Sequence, residues 1–362
     1  MAQVRVGIIG AGFIGRFHAR GIRGLIKAGL VDARYVAVCD VVEERAREFG
    51  RIAGLPLVTT DPERLIRSDE VDAVYVCTPT AQHKALVLAA AAEGKAVFCE
   101  KPLATTLADV EEMTAAVTGA GVPHQVGLVL RHSPVYTVLW DLIQDPRLGR
   151  PVTAVFRDDQ FFPIQGRYAS TWRCDYATAG GGTLIEHSIH DLDLLRWLLG
   201  EAVAIRAETR NYAGFEGVED LATVRLEFAS GCTAYLASVW HNVLSRESSR
   251  RLELFFENGY FWVDRDFVTE IHYETSATGG MVTLSADQVV DRYLDLIGCT
   301  EQGQREAHRA ALLRYSLEDC FFLRAVAAGE APAPGFEVAL AAHRLVDAAY
   351  RSAREGREVV LE

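Results

Sequence analysis

The chain has 362 residues, 49% of them hydrophobic, and a formal net charge of −12. That length exceeds what one compact core usually holds, so two domains are expected, and the composition suffices to bury both. So acidic a surface excludes a charge-driven grip on nucleic acid or an anionic membrane, although a local basic patch would still take one phosphate.

Seven cysteines (Cys39, Cys77, Cys99, Cys174, Cys232, Cys299 and Cys320) are scattered and never spaced as Cys-x-x-Cys. That pattern fits a reduced, cytoplasmic protein and not a disulfide scaffold or a zinc ribbon. The N-terminus runs into an apolar strand with no basic n-region or cleavage site, so no signal peptide is expected. No apolar run reaches the ~20 residues of a membrane span.

From Val4 to about Gly127, short apolar runs alternate with amphipathic segments. They are Val4-Ile9, a helix from Ile14, Tyr35-Cys39, a helix from Glu43, Val71-Cys77, a helix from Ala81, and Ala96-Cys99. Strands apolar throughout and separated by helices indicate a parallel sheet covered on both faces, a Rossmann-type doubly wound α/β domain over residues 1–130.

After Ser133 the texture changes. A helix around Pro134-Ile143 precedes longer alternating strands at Val152-Phe161, Val203-Tyr212, Ala222-Phe228, Cys232-Trp240, Leu252-Glu257 and Tyr260-Val263. Period-two alternation gives one buried and one more polar face, so an α+β domain with a large, mostly antiparallel open sheet is expected over residues 131–335. Thr275 to Ala286 reads poorly. Helices return at Glu306-Ala328, with Leu313, Leu317, Cys320 and Phe321 on its apolar side, and at Phe336-Arg354. Residues 336–362 are expected to pack back near the first domain.

Gly10-Ala11-Gly12-Phe13-Ile14-Gly15 follows the first strand and opens a helix, the context a GxGxxG turn requires. Gly10 permits the tight turn, Gly12 lets backbone approach a pyrophosphate, and Gly15 allows close helix packing, with free N–H groups at the helix start for the phosphates. The second strand ends on Asp40, where a carboxylate accepts from ribose hydroxyls and repels a 2′-phosphate. NAD is therefore expected in preference to NADP. Arg45 and Arg47 on the following helix read as solvated surface.

Ala96-Val97-Phe98-Cys99 ends on Glu100-Lys101-Pro102. In an open α/β sheet the ligand crevice lies beyond the carboxyl ends of the strands, so Lys101 is placed either for chemistry or as a solvated lysine opening a turn. Gly180-Gly181-Gly182 then leads into a run read as one helix through Leu199. Spacings of three and four put Glu186, His190 and Asp193 on one side of it, with His187 near them and Asp191 turned away. His190 suits a general base and Glu186 a carboxylate that holds its imidazole; the same residues would also make an acidic helix start with a packed histidine. No metal is expected, because His187 and His190 find no matching Cys/His pair elsewhere.

Gly10-x-Gly12-x-x-Gly15, Thr78-Pro79 followed by His83, Gly94 through Pro102, and Gly180 through His190 together resemble the Gfo/Idh/MocA family of dinucleotide-dependent sugar and cyclitol oxidoreductases. The likeness covers nearly the whole chain. It implies that Gly10, Gly12, Phe13, Ile14, Gly15, Asp40, Thr78, Pro79, His83, Glu100 and Lys101 line the cofactor. It also implies that Lys101 orients the reacting hydroxyl, that His190 takes its proton, and that the second-domain sheet forms a homodimer or homotetramer. The family often has aspartate four residues before the histidine, where this chain has Glu186.

Tyr168, Trp172, Arg173, Asp175 and His241 add aromatic faces and hydrogen-bonding groups suited to a small polyhydroxylated substrate. The expected activity is NAD-dependent oxidation of a secondary hydroxyl of a sugar or cyclitol, or reduction of the ketone. Two alternatives stand beside it: a non-catalytic dinucleotide-binding sensor, and an enzyme that acts on glycosides with tightly held NAD(P).

Overall fold

The computed structural model describes residues 3–166, 168–312 and 316–361, and the chain divides into two compact units. The first comprises Met1–Val129 with Glu301–Leu340, the second Leu130–Thr300 with Ala341–Glu362.

In the first unit the strands β1 (Val4–Ile9), β2 (Ala33–Cys39), β3 (Leu57–Thr59), β4 (Ala73–Val76), β5 (Ala96–Cys99) and β6 (His124–Val126) form a parallel sheet in the order β3-β2-β1-β4-β5-β6. β4 and β5 are buried along their whole length, as helices on both faces require. The helices Phe13–Lys27, Glu43–Ala53, His83–Ala92 and Leu107–Ala120 connect them.

Residues 301–340 belong to this unit, and an aromatic cluster is one of the contacts that join them to it. Tyr75 on β4 stacks on Phe98 on β5 at 4.7 Å, and Phe322 from helix Leu317–Ala328 meets both edge-on at 5.4 and 5.6 Å. All three rings are fully buried. Truncating such a ring costs about 3–5 kcal/mol, enough to fix where this helix docks. The helix expected over 306–328 is two, Gln302–Leu312 and Leu317–Ala328, and Leu313 lies outside the described residues.

In the second unit β7 (Pro151–Phe161), β8 (Ala202–Arg210), β9 (Leu221–Phe228), β10 (Thr233–His241), β11 (Ser249–Phe256), β12 (Gly259–Val263), β13 (Ile271–Thr275), β14 (Val282–Leu284) and β15 (Val359–Val360) form the second sheet. Their order is β14-β13-β12-β11-β7-β10-β9-β8-β15, and among the described residues only β7 and β10 run parallel. One face is buried through Ala154, Phe156, Leu236, Leu252 and Leu254, while Val155, Tyr235 and Phe255 stay exposed on the other. The stretch after Thr275 forms strand β14, followed by a Ser285/Gln288 capping box that opens helix Ala286–Leu296.

The expected boundaries differ from this division in two respects, the first being that residues 301–335, expected in the second domain, group with the first unit. The division falls inside helix Phe336–Glu355: Phe336 and Ala339 enter the core of the first unit, whereas β15 extends the second sheet beside β8. Residues 336–362, expected to pack back near the first domain, are therefore divided between the two units. No helix among the described residues is long and apolar enough to cross a membrane.

Candidate active site

The turn after β1 has the geometry its glycines suggest. Gly10 takes φ +102°, and a Cβ there would overlap the Cys77 carbonyl; a Cβ on Gly15 would overlap the Gly10 carbonyl oxygen. At Gly12 a Cβ would meet no heavy atom within 4 Å. Gly12 also caps helix Phe13–Lys27 without any side-chain hydrogen bond to its first N–H groups. A helix start with room at Gly12 and no side-chain cap suits a pyrophosphate.

Asp40 follows β2 and is buried, accepting from the Ala11 N–H through Oδ2 and from the Val42 N–H through Oδ1, both at 2.8 Å. The carboxylate thus braces the glycine turn, and its remaining lone pairs suit ribose hydroxyls. Arg47 is ion-paired with Glu43 at 2.6 Å, in keeping with its reading as surface. The Thr78 hydroxyl, just after β4, is buried with no hydrogen-bond partner. Glycine cradle, helix start, acid and waiting hydroxyl together fit a dinucleotide.

His83 is fully enclosed, its Nδ1 3.0 Å from the Pro102 carbonyl and its Nε2 2.9 Å from the Thr78 carbonyl. It clamps the turn after β4 to the turn after β5. Its pKa lies below the usual range because burial outweighs those carbonyl contacts.

Glu100 and Lys101 stand at the carboxyl end of β5, and the Lys101–Pro102 bond is cis. The Glu100 carboxylate accepts from the Lys101 backbone N–H at 3.1 Å and faces His18 Nε2 at 2.9 Å. Burial disfavours its charge, but the hydrogen bond and charge of His18, together with the charge and backbone N–H of Lys101, outweigh that and keep its pKa below the ordinary carboxylate value. Sequence reading missed His18. Its signal is there, because the buried positions of the helix are Gly15, His18, Gly21, Ile22 and Leu25, a helical stripe with one polar member.

In the second unit the triple glycine is a packed corner. A Cβ on Gly181 would strike Tyr350 and one on Gly182 the Glu219 backbone. Glu219 accepts from the Gly182 N–H at 2.8 Å, the Leu184 N–H at 2.9 Å and the Tyr350 hydroxyl at 2.9 Å, so one buried carboxylate holds the corner. Neither Glu219 nor Tyr350 is evident from sequence, since each acts from a distant segment.

The run after the glycines is two helices, Thr183–Glu186 and Ile189–Leu199, interrupted at His187 and Ser188. Helical spacing therefore does not carry Glu186 onto the side of His190 and Asp193. Arg173 Nε donates to Glu186 at 2.8 Å; Asp193 accepts from Nε and Nη2 of Arg131, each at 2.7 Å. Asp191, expected to turn away, is fully buried against Arg250 at 2.7 Å. Arg250 also reaches Asp158, which lies 3.1 Å from His187 Nδ1. His190 itself is 6% exposed at the start of the second helix.

Among the expected substrate residues, Trp172, Arg173 and Glu186 come together, the Arg173 guanidinium lying 4.3 Å from the Trp172 ring centroid. Asp175 is instead the cap of helix Tyr176–Ala179, and Tyr168 packs on Phe161. His241 ends β10 near Asp159 and lines a cavity of about 280 Å³ with Tyr212, Asp220 and Leu221.

Residues 4–128 match the model of an oxidoreductase family with an NAD-binding Rossmann fold, and residues 136–262 the GFO/IDH/MocA C-terminal domain. The chain is 30% identical to a myo-inositol 2-dehydrogenase of Thermotoga maritima, the alignment covering 99% of each. It is 30% identical, over 98% of each, to an inositol 2-dehydrogenase of Rhizobium meliloti. In fold it is similar to a levoglucosan dehydrogenase solved with NADH and L-sorbose, with a TM-score of 0.86 at 21% identity over the whole of both chains. The chain belongs to the GFO/IDH/MocA family of NAD-binding oxidoreductases.

Proposed function

We propose that the protein is an NAD-dependent dehydrogenase that transfers hydride between a secondary hydroxyl of a sugar or cyclitol and the cofactor. The observation that carries this is the placement of Lys101. β4 alone separates β1 from β5, so the glycine turn and Lys101 leave the same edge of one parallel sheet, roughly 10 Å apart at the usual strand spacing.

Bound nicotinamide supplies the hydride acceptor. Gly10, Gly12 and Gly15 admit the phosphates, and Asp40 takes the ribose hydroxyls, favouring NAD over NADP. Lys101 holds the reacting hydroxyl oxygen with its ammonium. His190 accepts the hydroxyl proton as the carbonyl forms and returns it in the reverse direction. Trp172 offers a face to the substrate's C–H groups, and the Arg173–Glu186 pair offers directed partners to its hydroxyls. Exposed Tyr235, Val155 and Phe255 share the open face of the second sheet and support self-association there.

The test is NAD reduction across a panel of inositols, aldoses, uronates and glycosides, with Lys101→Ala and His190→Ala alongside. Each variant is expected to lower kcat by about 10²–10⁴ while still binding NAD. Unchanged turnover in either removes the assignment, and an inert wild type across the panel favours a sensor.

A further inference from the structure

His18 is fully buried, with its ring against Phe98 at 5.0 Å and Tyr75 at 5.5 Å. Both ring nitrogens face carboxylates, Nδ1 at 2.8 Å from Asp319 Oδ1 and Nε2 at 2.9 Å from Glu100 Oε1. A neutral imidazole has one N–H and could serve only one of them; two carboxylate acceptors call for an imidazolium. Burying such a cation is costly unless it is fully paired, and here it is paired on both sides.

The neighbouring charges complete the account. Asp319 and Glu318 come from helix Leu317–Ala328, Glu100 and Lys101 from the end of β5, Tyr75 from β4, Cys77 from just after it, and Tyr35 from β2. Glu318 is 3% exposed, its Oε2 has no hydrogen-bond partner, and burial raises its pKa well above the ordinary carboxylate value. The charge of Lys101 also favours the ionised form of Glu100, which ties the lysine electrostatically to the buried cluster.

We propose that His18 is a positioning residue: clamped by Asp319, it fixes the Glu100 carboxylate, and Glu100, through the Lys101 N–H, fixes the turn that presents the lysine to the hydroxyl. This rests on the catalytic reading of Lys101. His18, Glu100 and Glu318 have ligand atoms within 4.8 Å of one another, as a metal would need, but an imidazolium has no lone pair to give one.

The experiment compares His18→Gln and Asp319→Asn with the wild type in kcat, Kd for NAD and the pH profile of kcat. Both variants should lose about tenfold to hundredfold in kcat, as a misplaced reacting group does, with Kd for NAD within about threefold. Without the imidazolium the Glu100 carboxyl titrates higher, so the acid limb of the profile should move up by about half a pH unit or more. A kcat within about twofold of wild type, a parallel loss of kcat and NAD affinity with an unmoved profile, or stoichiometric metal in the purified protein would each overturn the proposal. If His18→Gln does not fold, Asp319→Asn decides alone. Lys101→Met separates the two readings: an active Lys101→Met removes the catalytic premise, whereas an inactive Lys101→Met beside a normal His18→Gln overturns only the positioning role.

Discussion

Arg173 donates to Glu186 across 2.8 Å, and the glutamate is 2% exposed. A hydrogen bond between charged groups is worth about 1.5–3 kcal/mol, or roughly ten- to a hundredfold in binding. If the pair grips substrate hydroxyls, Glu186→Gln should lower kcat/KM for the best substrate by that factor and leave the Kd for NAD unchanged. Steady-state kinetics with cofactor titration by fluorescence reads both quantities. An unaltered kcat/KM would assign the pair to structure alone.

Gly12 and Gly15 predict opposite phenotypes for the same substitution. Gly15→Ala drives a methyl into the Gly10 carbonyl oxygen and should lower Tm sharply, whereas Gly12→Ala points into open space and should leave Tm within about 2 °C of wild type. Gly12→Ala should nevertheless weaken NAD binding at least about tenfold, because the methyl stands where the phosphate approaches. Calorimetric melting and NAD titration of the two variants check this. Undiminished NAD affinity in Gly12→Ala would move the pyrophosphate elsewhere.

What the sequence revealed follows from how local each signal is. β1 and β5 end where their apolar runs end, because a strand buried on both faces has no alternation to blur its limits. β3 and β6, at three residues each, are too short to show a period, and helix Leu107–Ala120 went unread although Thr106 caps it through the Asp109 N–H. The break at His187 is invisible to helical spacing, so spacing alone does not align Glu186 with His190 and Asp193, and the pairings of Glu186 with Arg173 and of Asp191 with Arg250 cannot be read from it. Partners such as Glu219, Arg250 and Asp319 lie dozens to hundreds of residues from the groups they hold, and only the folded chain brings them there.

Asp40 carries two duties that a substitution can separate. Asp40→Ser should raise the kcat/KM ratio of NADP to NAD by about tenfold or more, because the charge that repels a 2′-phosphate is gone. It also removes acceptors from the Ala11 and Val42 N–H groups, which should lower Tm as well. Kinetics with each cofactor measures the first effect and thermal melting the second. A ratio unmoved by the substitution would place cofactor choice in other residues.

The His18 cluster predicts a stability that declines with pH. Burial alone would lower the His18 pKa, but the charge of Asp319 and hydrogen bonds to Asp319 and Glu100 raise it well above its ordinary 6.5. The unfolded chain releases this proton near pH 6.5 while the folded chain keeps it, so its stabilisation is complete below that pH and lost as pH climbs toward the folded value. Glu318, raised by burial, acts in the same direction. The histidines His83, His124, His132 and His308 are shifted down by desolvation and act oppositely, but only below about pH 6.5. Buried thiols such as Cys77, pushed up to about 12, join only near the ordinary thiol pKa of about 8.5. Between pH 6.5 and 8, then, urea unfolding of the wild type should lose up to about 1.4 kcal/mol per pH unit for each retained proton, and His18→Gln should show a slope shallower by one proton. Equal slopes in the two proteins would mean that His18 is neutral in the fold, and the clamp on Glu100 would lose its charge.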